Sequence, residues 1–139
     1  MQLTDVMDAL SLTCQMIDIP SVSGEEGPLA DAVEDALRGA GFGTLDSLEI
    51  LRDGDAVCAR TQLGLPERVV LAGHLDTVPI ADNVPGRTET RDGQEVVWGR
   101  GSVDMLGGCA AALALACEAG VLIAGGAPDP LTADVTWIF

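Results

Sequence analysis

The sequence predicts an α/β fold, with a partial mixed, largely parallel sheet and flanking helices. Three observations carry that expectation. The apolar run Arg68–Ala72 is followed by a long apolar segment, 104–119, and then by a second strand-like run, 132–139. Strand, helix and strand in that order make a right-handed parallel crossover. Two amphipathic helical patterns open the chain before the hydrophobic period shortens. Finally, 47% of the residues are hydrophobic but only 3% are aromatic, so Ala, Leu, Val and Ile must fill the core. That suits helices packed on a sheet better than an aromatic-rich sandwich. At 139 residues, a single domain is expected.

Leu3, Val6, Met7, Leu10, Cys14 and Ile17 stand at helical spacing with Thr4 or Asp5 as N-cap, and Pro20 ends the pattern. The stretch 21–27 is turn-rich. After it Leu29, Val33, Ala36 and Leu37 trace a second helix, closed by Gly39 and Gly41. Segments 48–51 and 56–60 flank Asp53-Gly54 and predict a hairpin with a tight turn. Arg68–Ala72 reads as a strand buried on both faces, and it delivers the chain to Gly73-His-Leu-Asp76. A polar loop follows, then a hairpin about Asp92-Gly93 with 95–98 as its return strand. Segment 104–119 is apolar on almost every face, as a sandwiched helix would be. A Gly/Pro-rich loop leads to the last strand, 132–139.

Composition narrows the function classes. Seven basic residues, all arginine, against 22 acidic ones give a net charge of −15. Without lysine there is neither a Schiff base nor a phosphate-binding P-loop. So acidic a chain is expected to bind neither nucleic acid nor anionic membrane. Segment 105–128 is apolar, but its Gly and Ala insert weakly and Glu118 lies within it, so a soluble chain is expected. Cys14, Cys58, Cys109 and Cys117 form no Cys-x-x-Cys pair. They read as free thiols of a cytoplasmic protein, and no secretory signal is expected at the N-terminus.

His74 is the only histidine, so imidazole chemistry within this chain must use it. It follows a strand, where the C-terminal ends of parallel strands form the ligand crevice of α/β folds. In extended backbone His74 and Asp76 point the same way. Asp76 can then hold one ring nitrogen and leave the other for a metal; the plainer reading is a strand-end histidine satisfied by its neighbour. Asp104, after the glycines at 99 and 101, is either an ordinary first-turn carboxylate or one that bridges two metal ions. A serine triad of His74 and Asp76 with Ser21, Ser23 or Ser102 lacks a strained nucleophile turn. Glu25-Glu26 reads as a solvated acidic loop.

Taken together, Gly73-His-Leu-Asp-Thr-Val-Pro79 and Trp98-Gly-Arg-Gly-Ser-Val-Asp-Met-Leu-Gly-Gly108 resemble the two N-terminal signature segments of the M20 metallopeptidase and deacylase family. Ile19-Pro-Ser-Val-Ser-Gly-Glu25 and Val70-Leu-Ala-Gly-His-Leu-Asp-Thr-Val-Pro-Ile-Ala-Asp-Asn83 are most similar to its actinobacterial succinyl-diaminopimelate desuccinylases. The resemblance implies a cytoplasmic amidohydrolase with two Zn2+ ions, or Co2+, per complete site. Its substrate would be a small N-acyl amino acid, N-succinyl-LL-2,6-diaminopimelate, cleaved to succinate and LL-2,6-diaminopimelate for lysine and cell-wall precursor synthesis. It also implies His74 as a metal ligand, Asp76 as the catalytic carboxylate that orients it, and Asp104 as the aspartate shared by both ions. The peptide bond after that aspartate is often cis in the family, which points to Asp104–Met105. The chain departs from the pattern at Leu106, where the family has lysine, and at Gly99-Arg100-Gly101, where desuccinylases have Gly-Cys-Gly.

The chain stops on Trp137-Ile-Phe139, inside an apolar run. Residues 1–139 are therefore expected to be the N-terminal part of the M20 catalytic domain, without its dimerising lid domain and C-terminal catalytic part. The general base and further ligands would lie beyond, and a homodimer is expected only of the full-length protein. With two of the three protein ligands that a catalytic zinc takes, the chain alone is expected to bind metal weakly and not to turn over substrate. The alternatives are another M20 N-acyl-amino-acid deacylase or peptidase, and a truncated non-catalytic fragment.

Overall fold

The computed structural model describes residues 1–127 and 131–139. The expected Gly/Pro-rich loop therefore lies partly outside the described residues. The elements are α1 (Ala9–Asp18), α2 (Gly27–Gly39), β1 (Leu48–Asp53), β2 (Ala56–Thr61), β3 (Arg68–Ala72), β4 (Arg87–Arg91), β5 (Gln94–Trp98), α3 (Gly107–Ala124) and β6 (Asp134–Ile138).

The main sheet is mixed, in the order β1-β2-β6-β3. Its β1–β2 and β2–β6 pairs are antiparallel, and β3–β6 is the parallel pair, with Val70 opposite Thr136 and Ala72 opposite Ile138. The expected crossover is thus present: β3 and β6 lie side by side with α3 between them in sequence. β4 and β5 form a separate antiparallel hairpin. α3 packs against α1, α2 and β6. The core between them holds Leu12 and Met16 of α1, Leu29 and Val33 of α2, and Leu113 and Cys117 of α3. On the sheet side Phe42 meets Trp137 edge to face, with ring centroids 6.0 Å apart.

Three expectations change. The first helix begins at Ala9, and its N-cap is Asp8 in place of Thr4 or Asp5. The Asp8 carboxylate accepts from Leu10 N and Ser11 N, so two free N–H groups are satisfied there, while residues 3–7 stay outside the helix. β3 is a strand but is not buried on both faces: Val69 and Val70 are 47% and 56% exposed. It lies at the edge of the sheet, paired with β6 on one side only, and an apolar run records what a strand could bury rather than what covers it. α3 is likewise buried on one side, through Cys109, Ala110 and Leu113, while Leu115 and Val121 are exposed. The stretch Ser102–Ala124 is long and apolar enough to cross a membrane by length and composition, yet half of it is buried inside this fold.

Candidate metal centre

The site grows out of the end of β3. Gly73 N still bonds Ile138 O at 2.9 Å, and beyond it the chain leaves the sheet. Leu75 and Thr77 turn inward, 3% and 4% exposed, so the alternation of extended backbone turns His74 and Asp76 outward. Position 73 is tight for anything larger than glycine, because a Cβ there would stand 2.8 Å from Cys109 Sγ and 3.2 Å from Met105 Cε. The loop after β3 is clamped to the turn that follows α1: Thr77 N donates to Ser21 O at 2.8 Å, and Ser23 N donates to Thr77 O at 3.1 Å.

Asp104 arrives from the other side. Gly101, at φ +73°, opens a wide turn over Ser102–Leu106, closed by Leu106 N on Gly101 O at 2.7 Å. Inside it Asp104 is extended, at φ −129° and ψ 92°, and the Asp104–Met105 peptide is cis, at the bond to which the family resemblance pointed. Asp104 does not cap α3, which starts at Gly107 without a side-chain cap. Its Oδ1 instead lies 3.1 Å from His74 Nε2.

His74, Asp76 and Asp104 therefore come together. His74 Nδ1 is 3.0 Å from Asp76 Oδ1 and 3.1 Å from the Asp76 carbonyl oxygen. Partial burial works against a charged His74 ring, but the bonds to Asp104 and to the Asp76 carbonyl, with both negative charges, prevail and hold its pKa above the ordinary histidine value. The Ser23 hydroxyl, with the neighbouring imidazole, holds the Asp76 carboxyl below the ordinary aspartate range. Both ring nitrogens thus face carboxylates, and among the described residues no serine hydroxyl bonds the imidazole. Ser23 Oγ sits on Asp76 at 2.7 Å, on the wrong side of the histidine for a nucleophile. Glu26 accepts from Gly24 N, a bond within its own loop.

These donors suit half of a metal site. Zinc ligands bound at about 2.0–2.1 Å with tetrahedral angles stand roughly 3.3 Å apart, close to the 3.1 Å between Nε2 and Oδ1. The side chain of Asp104 is 86% exposed, so a cation could approach it freely. Among the described residues no group of three or more His, Cys, Asp or Glu side chains is placed to hold a metal ion.

Two contacts escaped the sequence reading. Ser23 reaches Asp76 across 53 positions, and Cys109 Sγ donates to His74 O at 3.2 Å. Burial pushes the Cys109 thiol up to about 11, so it keeps its proton as a donor. Nothing in residue type or spacing marks either one. The buried Arg100, a departure from the desuccinylase pattern, extends Nη2 to Ile17 O and Ile19 O and ties the end of α1 to the loop before Asp104.

Residues 70–121 match Peptidase family M20/M25/M40. The chain is 50% identical over 103 residues to the succinyl-diaminopimelate desuccinylase of Corynebacterium glutamicum, covering 74% of this chain and 26% of the relative. A Mycobacterium tuberculosis relative is 49% identical over 109 residues, covering 78% and 28%. The succinyl-diaminopimelate desuccinylase of Cereibacter sphaeroides is 34% identical over 119 residues, covering 81% and 30%. The chain thus spans between a quarter and a third of the length of these relatives.

Proposed function

We propose, from the premise that this chain carries an M20/M25/M40 peptidase segment, that it supplies one flank of the active centre of a metal-dependent amidohydrolase. The observation that carries the proposal is the convergence of His74 Nε2 and Asp104 Oδ1 at 3.1 Å, with Asp76 behind the ring. The proposed substrate is a small N-acyl amino acid, and the names of the relatives from Corynebacterium and Cereibacter favour N-succinyl-LL-2,6-diaminopimelate, cleaved to succinate and LL-2,6-diaminopimelate. Two Zn2+ ions, replaceable by Co2+, would occupy the complete site, in a cytoplasmic enzyme of which residues 1–139 are the N-terminal part. The four free cysteines suit that reducing compartment. Dimerisation, the general base and the remaining ligands would belong to other parts of that enzyme.

Bound metal supplies Lewis-acid polarisation of the amide carbonyl and activation of water near neutral pH. The chain's own residues hold and orient. Asp76 would hold the proton on Nδ1 and so leave the Nε2 lone pair to a bound cation. Asp104 offers a carboxylate on the same rim. The wide turn over Ser102–Leu106 lifts that carboxylate out of the helical path, so it faces the imidazole rather than the N-terminus of α3.

Residues 1–139 placed in the C. glutamicum relative, in exchange for its matching N-terminal segment, should yield an enzyme that releases succinate from N-succinyl-LL-2,6-diaminopimelate. His74→Ala in that chimera should lower kcat/KM by more than about a thousandfold, as loss of a metal ligand does. A folded, metal-loaded chimera that is inactive on this substrate, or an active one indifferent to His74→Ala, contradicts the proposal.

A further inference from the structure

Four side chains from three separated stretches stand in one line. Ser23 Oγ is 2.7 Å from Asp76 Oδ2, the other Asp76 oxygen is 3.0 Å from His74 Nδ1, and His74 Nε2 is 3.1 Å from Asp104 Oδ1. The serine is brought there by backbone. Val22 and Thr77 form a parallel bridge, Ser23 N donates to Thr77 O, Thr77 N donates to Ser21 O, and Glu25 N closes a turn on Val22 O at 2.7 Å. The main chain thus delivers Ser23 to the outer oxygen of Asp76 without help from its hydroxyl.

We infer that Ser23 is a positioning residue of the metal centre, its hydroxyl fixing the rotation of the Asp76 carboxylate so that His74 presents Nε2 beside Asp104. The inference rests on the proposed roles of His74 and Asp104. A carboxylate held at one oxygen turns readily, because its terminal torsion is broad and its acceptor directions are several. A second hydrogen bond on the other oxygen removes that freedom, and the ring behind it then keeps one orientation. Asp76 is the partner one step behind the proposed histidine ligand, where such groups carry tenfold or more of metal affinity, and Ser23 acts through it. Had Ser23 served only to tie the loop, its hydroxyl would be redundant with the backbone bonds already there.

Calorimetric zinc titration of the 139-residue chain tests this, with thermal unfolding followed on the same samples. Ser23→Ala should weaken zinc binding roughly tenfold and move the unfolding midpoint by no more than about 3 °C, as befits an exposed residue. Ser23→Thr, which keeps the hydroxyl, should restore the affinity. In an Asp76→Ala background, Ser23→Ala should have no further effect on zinc, because the two residues act through one contact. His74→Ala should abolish binding, and zinc binding that survives it, or is absent from the unsubstituted chain, overturns the ligand assignment itself. Binding lost in His74→Ala but unchanged in Ser23→Ala, or weakened equally with and without Asp76, overturns the role of Ser23 alone.

Discussion

At the scale of single residues, the site depends on one close approach. Gly73 carries the last sheet hydrogen bond before His74, and a methyl group there would press on Cys109 Sγ at 2.8 Å, the thiol that holds the His74 carbonyl. Gly73→Ala should therefore cost about 1–3 kcal/mol of stability by overpacking, read as a lower urea midpoint with an unchanged slope. A Gly73→Ala chain as stable as the original would mean that the contact is loose. Residue type and the period of extended backbone nominated His74 and Asp76, while Asp104 was nominated only by the resemblance of residues 98–108 to the M20 signature; the structure brings the three side chains together. Ser23 enters the sequence analysis as a possible nucleophile, when its hydroxyl serves the aspartate, and Cys109 enters as a free thiol, when it also holds the His74 carbonyl. Both act through contacts between distant positions, and no local pattern encodes those.

At the scale of elements, β6 is anchored at its first residue. Asp134 is 3% exposed, and it accepts from Thr61 Oγ1 at 2.6 Å, Leu63 N at 2.8 Å and Leu65 N at 3.0 Å. It thereby fixes the end of β2 and the loop before β3 to the strand between them. Burial opposes its charge, but these bonds, with Arg68 nearby, prevail and lower its pKa below the usual 3.8. A folded pKa below the unfolded one gives stability that is present in full above about pH 4 and is lost as pH falls through the lower folded value. Asp134→Asn should accordingly destabilise the chain by about 1–3 kcal/mol at neutral pH, with the deficit shrinking in acid. Equal deficits at pH 7 and pH 3 in urea unfolding would refute this. Hairpins, helices and the crossover were legible from period and turn residues. The start of α1 was not, because Thr4, Asp5 and Asp8 are all competent caps and only Asp8 has free amides in front of it.

At the scale of the molecule, the two ends of one crossover meet. β3 brings His74 and Asp76 to its C-terminal end, and the turn before α3 returns Asp104 to the same place, next to the end of β6 where Gly73 pairs with Ile138. That arrangement follows from the parallel β3–β6 pair, which the sequence foretold through its strand–helix–strand order. The sequence could not foretell that β3 would lie at the sheet edge with its apolar residues in the open, because edge and centre positions share one composition. The central claim is that the fold itself, without any other part of a larger enzyme, sets an imidazole and a carboxylate at a spacing suited to one cation. Anomalous diffraction at the zinc edge, from crystals of this chain soaked in millimolar zinc, tests it most directly. A zinc peak within bonding distance of both His74 Nε2 and Asp104 is expected, and zinc found only on other surface carboxylates, with the His74–Asp104 pair left bare, would contradict that claim.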